Sequence, residues 1–190
     1  MPSPIFIISG PSGAGEDSII SGLKSHLPIE RIITTTTRAP REGESEGHPY
    51  YFLTKDAFEA GIQENRFLEY ARQYNDNLYG VTFDEINRVR NSGKVGIWKI
   101  EWKGVIAAKK LFPEIIAILV TVPSIDVLEA RIRRRDPNVT EEYLKERMEY
   151  TKEWLRHTDI YDYTIVNEEG KLNRAIQETE RIIRKHWREK

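Results

Sequence analysis

The chain has 190 residues and no cysteine, which excludes disulfide bonds and thiolate metal sites. It also has no long hydrophobic run, since the longest, residues 115–122, is too short to cross a bilayer. An excess of charge of one sign is missing too, because 29 Lys and Arg residues against 30 Asp and Glu residues give a net charge of −1. This balance removes a global attraction to nucleic acid or anionic membranes, so we expect neither as a partner.

No signal-peptide pattern precedes the first apolar stretch, and we therefore expect a cytoplasmic protein. The four histidines show no metal-ligand spacing, and Trp154 and Trp187 are expected to be packing residues. A hydrophobic content of 39% with 31% charged residues is typical of a folded globular protein, and the length favours one domain.

Apolar strand-like runs alternate with helical patterns along the chain. Residues 5–9 form a continuous apolar run, which is typical of a strand buried on both faces of a parallel sheet. The alternation predicts an α/β fold in which a parallel sheet is flanked by helices. We expect one domain with a core of residues 1–33, 85–124 and 157–190, and two inserts at residues 34–84 and 125–156. At the first insert we expect one strand over residues 31–37, a loop over residues 39–49 and a helix over residues 55–63. Further on we expect Ser124 and Thr140 each to cap a helix, and a strand over residues 163–166.

A glycine-rich turn, residues 10–15 with the sequence Gly-Pro-Ser-Gly-Ala-Gly, separates the first strand from the first helical pattern. Its backbone N–H groups and the following helix N-terminus favour an anion, and Gly10 and Gly15 match the two glycines of the phosphate-loop signature G-x-x-x-x-G-K-[ST]. The alternative is an ordinary strand-to-helix turn. The predicted ATP phosphate-binding residues are Ser12, Gly13, Ala14, Gly15, Glu16, Asp17 and Ser18.

The last two positions of that signature do not match. Glu16 stands in place of the lysine that normally reaches the β- and γ-phosphates, and Asp17 stands in place of the hydroxyl residue. Two carboxylates beside a triphosphate are repelled by it. Asp17 is nevertheless a candidate Mg²⁺ ligand, because carboxylate oxygen suits a hard cation.

The motifs together resemble those of the guanylate kinases, P-loop enzymes that phosphorylate GMP with ATP. The resemblance rests on residues 9–15 (SGPSGAG) and 34–44 (TTTTRAPREGE), with further matches at residues 50–52, 67–70, 78–80, 112–113, 161–163 and 166–167. It implies a P-loop NTPase-type sheet with a GMP-binding insert and an arginine-rich lid. It also implies Mg²⁺ bound with ATP, and a monomer or weak homodimer.

Two arginines, Arg38 and Arg41, lie three residues apart beside a threonine run, and two guanidinium groups can clamp one phosphate. Tyr50 and Tyr79 would add hydroxyl donors. The alternatives are a solvated charge pair for the arginines and simple strand propensity for the threonines. The resemblance assigns the GMP phosphate to Thr34, Arg38, Arg41, Tyr50 and Tyr79, with Arg38 also catalytic.

For the base, the resemblance assigns Glu69 as acceptor of the guanine N1–H and N2–H₂ donors, and Glu101 as a second acid. A glutamate in a helix-like stretch is otherwise a surface residue. The family usually places Ser or Thr directly after Tyr-Gly, where this chain has Val81. We expect Thr82 to substitute if the loop shifts; otherwise base recognition is weaker.

Lys99 replaces the first of two family acids, and strand alternation puts it on the same face as Glu101. We hypothesise a charge swap in which Lys99 pairs with Glu16 or reaches the phosphates as a catalytic cation. The alternative is independent drift in a protein that no longer catalyses.

An arginine cluster at residues 131–135 precedes a helix that carries Arg147. Neighbouring acids leave no net basic face for nucleic acid. The resemblance makes Arg131, Arg135 and Arg147 lid residues that stabilise charge on the transferring phosphoryl group. The alternative is a solvated helix face.

The sequence therefore predicts a guanylate kinase that transfers the ATP γ-phosphate to GMP, with weakened use of ATP. One alternative is a catalytically impaired binding module that keeps the clamp for GMP or a phosphorylated ligand. Another is a kinase for a different nucleotide or a phosphorylated sugar.

Overall fold

The computed structural model describes residues 2–72 and 76–187, and its first sheet consists of five parallel strands. In order across the sheet they are β10 (Tyr163–Val166), β9 (Ile116–Thr121), β1 (Ile5–Ser9), β8 (Val95–Trp98) and β2 (Ile29–Arg31). The phosphate-loop residues follow the central strand.

Helices cover both faces of β1, which explains its uninterrupted apolar sequence. Phe6 and Ile8 pack in a core with α1 (Glu16–Leu23) and α7 (Leu172–His186). Ile5 and Ile7 face the opposite core, which includes α3 (Phe83–Arg90) and α4 (Trp102–Leu111). The predicted α/β fold, a parallel sheet flanked by helices, is confirmed.

A second, mixed sheet is formed by the residues between β2 and α3. Its order is β4 (Ser45–Glu46), β5 (Pro49–Phe52), β3 (Thr34–Thr36), β7 (Leu78–Thr82) and β6 (Phe67–Arg72). The helix α2 (Lys55–Gln63) packs on this sheet, where the ring of Phe58 stacks on that of Phe67 at 4.1 Å between centroids.

The expectation of one strand over residues 31–37 was wrong, because this run is divided between the two sheets. The chain leaves the first sheet after Ile32, whose N–H donates to the carbonyl of Ile97. The next N–H, of Ile33, donates to the buried carboxylate of Glu85 at 2.7 Å. A β-branched run fits one strand as well as two, so the pattern carries no signal for the change of sheet. The loop expected over residues 39–49 contains the short strand β4.

Two helices, α5 (Ile125–Arg135) and α6 (Glu141–Leu155), follow β9 and pack on each other through Ile132, Leu144 and Met148. The predicted cap of α6 is confirmed, because the Thr140 hydroxyl accepts the N–H of Tyr143 at 3.2 Å. Ser124 precedes α5, but its side chain makes no capping hydrogen bond. Among the described helices, none is both long and apolar enough to span a membrane.

Candidate active site

A cavity of about 430 Å³ is lined by residues of the second sheet, the phosphate loop, the segment that follows β8, and α6. The side chains come together because β3, β5, β6 and β7 place one face of the second sheet opposite the end of β8. Predicted site residues that line this cavity are Ser12, Glu16, Thr34, Tyr50, Glu69, Tyr79, Lys99, Glu101 and Arg147.

Two carboxylates, those of Glu69 and Glu101, line this cavity together. Burial, and then the charge of Glu101, raise the pKa of Glu69 to about 7. Glu101 lies directly before α4 and accepts a hydrogen bond from the hydroxyl of Tyr150 at 2.7 Å. Glu69 lies on β6, so the helix-like interpretation of its stretch was wrong. The pair forms an acceptor site suited to a ligand edge that carries N–H donors.

Two tyrosine rings, of Tyr50 and Tyr79, meet edge to face at 6.0 Å beside Thr34. The guanidinium of Arg38 lies 5.4 Å from the Tyr50 ring centroid and donates twice to the Glu44 carboxylate, at 2.8 and 2.9 Å. This ion pair is largely buried, so Arg38 is held at the margin of the cavity rather than among its lining residues.

Arg41, the second predicted clamp residue, is exposed and does not line the cavity. Its backbone N–H donates to Glu44 at 2.8 Å, so one carboxylate organises both arginine positions. The structure therefore brings Thr34, Tyr50 and Tyr79 together and leaves Arg41 on the adjacent loop.

The structure places Thr82, the expected substitute donor to the base, away from the cavity. Thr82 ends β7 and its hydroxyl caps α3 by accepting the N–H of Glu85 at 3.2 Å, and it is not among the residues that line the cavity. Val81 is completely buried in the core. The Thr82 hydroxyl is thus used by the helix that begins at Phe83.

The phosphate loop holds Gly13 and Gly15 at φ values of +91° and +99°, a region that glycine adopts without strain. Directly after them, Glu16 turns its carboxylate back, and its Oε2 accepts the N–H of Gly15 at 3.0 Å. Glu16 is only 9% exposed, and burial raises the pKa of its carboxyl group to about 7. Glu16 therefore places an acid group against the N–H cradle of its own loop.

The predicted pairing of Lys99 with Glu16 is corrected by the structure. The Lys99 ammonium donates to Asp17 Oδ2 at 2.5 Å, and it acts on Glu16 only through its charge. The other oxygen of Asp17 accepts from Arg31 at 3.3 Å. Burial favours the neutral acid, but these two cations outweigh it and hold the pKa of Asp17 below its usual value.

The predicted Mg²⁺ ligand, Asp17, thus has a cation on each carboxylate oxygen. Within the described ranges, no group of three or more His, Asp or Glu residues could hold a metal ion. The side chains do not fit a resident metal ion bound by the protein alone.

A second cavity, of about 650 Å³, lies on the other side of the phosphate loop and is lined by Arg131, Arg134 and Arg135. Arg131 donates to the carbonyl oxygens of Gly13 and Ala14 at 3.3 and 3.4 Å, so it braces the loop. Arg135 reaches the Ser12 hydroxyl at 3.4 Å.

Arg147 lies elsewhere, in the first cavity, where its Nε donates to the hydroxyl of Tyr143 at 2.9 Å. The three predicted lid arginines are therefore divided between two cavities that meet at Glu16 and Lys99.

Comparison with known proteins identifies the family. A sequence model of the guanylate kinases matches residues 3–186. The chain belongs to the guanylate kinase family. It is 40% identical to a guanylate kinase of Rickettsia felis over 180 residues, which is 94% of this chain and 92% of that protein. It is 35% identical to a guanylate kinase of Alcanivorax borkumensis, over 94% of this chain and 85% of that protein.

Solved structures agree on the fold of this guanylate kinase family member. A guanylate kinase from Anaplasma phagocytophilum superposes with a TM-score of 0.73 at 23% identity, covering 97% of this chain and 86% of that one. A shikimate kinase from Bacteroides thetaiotaomicron superposes with a TM-score of 0.52 at 11% identity, covering 95% of this chain and 98% of that one. These likenesses show the fold alone.

Sequence reasoning missed several residues of the site in this family member. Asn167 is buried and donates to the Ala14 carbonyl at 2.7 Å, and Arg131 donates to the Asn167 carbonyl at 2.9 Å. Asn167 directly follows β10, and residues at the carboxyl ends of parallel strands gather at one edge, which is the signal that could have found it. Tyr150 carried no comparable signal, because its role depends on where α6 packs.

Proposed function

We propose that this chain transfers the γ-phosphoryl group of ATP to a phosphate oxygen of GMP, giving GDP and ADP. The observation that carries the proposal is one cavity that joins the acceptor pair Glu69 and Glu101 to the phosphate loop at Ser12 and Glu16. A nucleoside monophosphate bound there has its base at the carboxylates and its phosphate facing the loop. The P–O bond to ADP breaks as the new P–O bond to GMP forms.

In this proposal the insert of residues 34–84 holds GMP. Glu69 and Glu101 accept the N–H donors of guanine, which adenine does not offer as a pair on that edge. Thr34, Tyr50 and Tyr79 donate to the phosphate. Arg38 and Arg41 complete the phosphate site when the loop that carries Glu44 moves toward the ligand.

ATP in this proposal occupies the second cavity, with its phosphates on the N–H groups of the loop. The cation that faces them is Lys99, which lines both cavities and takes the charge role of a loop lysine. The lid of residues 125–156 contributes Arg131 and Arg135 on the ATP side and Arg147 on the GMP side. Mg²⁺ enters bound to ATP, as part of that substrate.

The test is calorimetric titration with GMP, with AMP, and with ATP plus Mg²⁺, followed by a coupled assay of ADP release. We expect GMP to bind, AMP to bind much more weakly, and ADP release to require GMP. Glu69→Gln is expected to lose GMP affinity, whereas Glu64→Gln, an exposed control on the same insert, is expected to keep it. Absence of GMP binding would refute the proposal.

One observation favours a second function, a binding module that keeps the GMP or phospho-ligand clamp but does not catalyse. The Glu16 carboxylate lies against the N–H cradle, where it repels a triphosphate. The same experiment separates the two functions, because GMP binding without ATP binding or turnover would favour the module.

A further inference from the structure

Behind the first cavity, three hydrogen bonds, two buried and one partly buried, run in one direction. The indole N–H of Trp154 donates to the Tyr161 hydroxyl at 2.9 Å, and this hydroxyl lies 2.9 Å from the hydroxyl of Ser9. Ser9 in turn donates to the carbonyl oxygen of Ile100 at 2.7 Å. Because Ser9 has one hydrogen and uses it on Ile100, the Tyr161 hydroxyl donates to Ser9. Trp154, Tyr161 and Ser9 are each buried.

This chain of hydrogen bonds joins three parts of the site. Ser9 is the last residue of β1 and directly precedes the phosphate loop. Ile100 lies between Lys99 and Glu101, so fixing its carbonyl constrains the backbone from which both side chains project. Trp154 is in the last turn of α6. The Tyr161 hydroxyl, which follows the 3₁₀ turn Thr158–Ile160, is the group where these parts meet.

A second contact holds the same segment from the other side. Tyr150, one turn before Trp154 on α6, donates to Glu101 at 2.7 Å. The end of α6 is thereby attached both to Glu101 and, through Tyr161 and Ser9, to the carbonyl of Ile100. The segment from Lys99 to Glu101 forms neither helix nor strand. These side-chain hydrogen bonds therefore hold it where the backbone hydrogen bonds between strands end with β8.

We propose that Tyr161 is a positioning residue, whose hydroxyl sets the placement of Lys99 and Glu101 relative to the phosphate loop. The inference deepens the proposed function, because it rests on Lys99 facing the ATP phosphates and Glu101 facing the base. Tyr161 itself lines neither nucleotide cavity. Its effect is transmitted through Ser9 and the Ile100 carbonyl.

The test compares Tyr161→Phe and Ser9→Ala with Thr179→Val. Phe at position 161 keeps the ring and removes two hydrogen bonds. Ala at position 9 keeps the bond between Trp154 and Tyr161 but removes the donor to Ile100. Thr179 is a matched control, because its buried hydroxyl donates to the Ala175 carbonyl at 2.7 Å within α7, away from the site.

Two measurements on the folded variants are made, amide hydrogen exchange of the ligand-free protein and steady-state kinetics with GMP and ATP. We expect faster exchange at residues 99–104 in Tyr161→Phe and Ser9→Ala, and not in Thr179→Val. We expect kcat to fall by about tenfold or more with a smaller change in KM, since misplacement affects the reacting geometry more than binding. The double variant is expected to be no worse than the poorer single variant.

The two possible failures are distinguishable. A wild type without turnover or GMP binding would refute the proposed function, while hydrogen exchange would still decide whether Tyr161 orders residues 99–104. Exchange and kinetics in Tyr161→Phe that match those of Thr179→Val would overturn the positioning role and leave the proposed function intact.

Discussion

Lys99, directly after β8, donates a hydrogen bond from its ammonium group to the carboxylate of Asp17 in the first turn of α1, at 2.5 Å. Asp17 also accepts from Arg31, so the three side chains carry one net positive charge. Lys99 lines the cavities on both sides of the phosphate loop. The phosphate loop itself supplies an acid, Glu16, and the cation beside it, Lys99, comes from the end of the neighbouring strand β8.

Replacing Lys99 tests whether this cation serves the ATP phosphates. We expect Lys99→Met to weaken ATP binding by about 10- to 100-fold, because a hydrogen bond to a charged group contributes roughly 1.5–3 kcal/mol. Calorimetry with ATP and Mg²⁺ measures the change. Lys110→Met, an exposed substitution on α4, is the control and should leave the affinity unaltered. Equal ATP affinity in wild type and Lys99→Met would show that Lys99 has drifted without replacing the loop lysine.

Neutralising Glu16 is expected to have the opposite effect. Glu16→Gln keeps an oxygen that can accept the Gly15 N–H and removes the negative charge. At pH 8, where the Glu16 carboxylate is ionised, ATP affinity should therefore rise by about tenfold as the repulsion from the phosphates is lost. Glu168→Gln removes a partly exposed charge from the second cavity, which Glu16 also lines, and should change the affinity much less. Weaker ATP binding by Glu16→Gln would instead mean that the acid assists the bound nucleotide.

The sequence predicted those parts of the fold that depend on local pattern. The helix over residues 55–63 and the strand over residues 163–166 have the predicted bounds, because a 3.6-residue period, capping threonines and apolar runs report the backbone directly. The division of residues 31–37 between two sheets was missed, since it is decided by Glu85, more than fifty residues away, which accepts the N–H of Ile33.

The site shows the same contrast between residues that local sequence motifs predict and contacts that depend on long-range packing. Motif positions indicated Thr34, Tyr50, Glu69 and Tyr79, and the structure places all four around one cavity. Partners of those residues could not be predicted in the same way. The pairing of Lys99 with Asp17 depends on how β8 and α1 are packed, and strand alternation says only which face a side chain takes.

The pH dependence of GMP binding tests the role of Glu69. Its pKa is raised to about 7, first by burial and then by the charge of Glu101. Only the carboxylate accepts the guanine N–H donors without surrendering an oxygen to its own proton. GMP affinity is therefore expected to rise with pH up to about 7 and to level off above it.

A matched variant separates this effect from titration of the GMP phosphate. Glu69→Gln has no titrating group at the base site, so its weaker binding should retain only the pH dependence that the phosphate contributes. Calorimetry between pH 5.5 and 8.5 measures both proteins, with the range set about one and a half units on either side of that pKa. Parallel pH profiles would contradict the assignment of Glu69 to the base.

Thermal stability should fall as pH rises from about 5 to 8. Glu16 has a pKa of 4.5 ordinarily and about 7 in the folded protein, so between these values the folded chain holds a proton that the unfolded chain has released. Such a group stabilises the folded state fully below its unfolded-state pKa. This stabilisation is lost as the pH rises through its folded-state pKa. The pKa of Asp17 is lowered, so its titration changes the stability only at pH values below its usual pKa, outside this range.

Differential scanning calorimetry across this range tests the effect. Glu16→Gln cannot bind or release the proton, so its Tm is expected to decline less steeply and to exceed that of the wild type at pH 8 by a few degrees. Glu69, whose pKa is also raised to about 7, is present in both proteins and cancels in the comparison. An equal change of Tm with pH in both proteins would show that other groups in the folded state offset the cost of ionising Glu16.

The last prediction concerns Asn167, which supports the phosphate loop from β10. Its side-chain N–H donates to the Ala14 carbonyl at 2.7 Å, and its Nδ2 lies 2.4 Å from where a Cβ on Gly15 would be. Asn167→Ala leaves that buried carbonyl without this donor and opens space beside Gly15. Because the loop then loses its fixed conformation, we expect ATP affinity to fall by about tenfold, from the loss of roughly 1–1.5 kcal/mol.

GMP binding provides the internal control for this substitution, since Asn167 lines the second cavity and not the first. We expect the GMP affinity of Asn167→Ala to match that of the wild type, and the exposed substitution Asn173→Ala to change neither affinity. An equal loss of GMP and ATP binding would indicate general destabilisation. A selective loss of ATP binding would show that the carboxyl end of β10 sets the shape of the phosphate loop, and that the two nucleotide sites are supported separately.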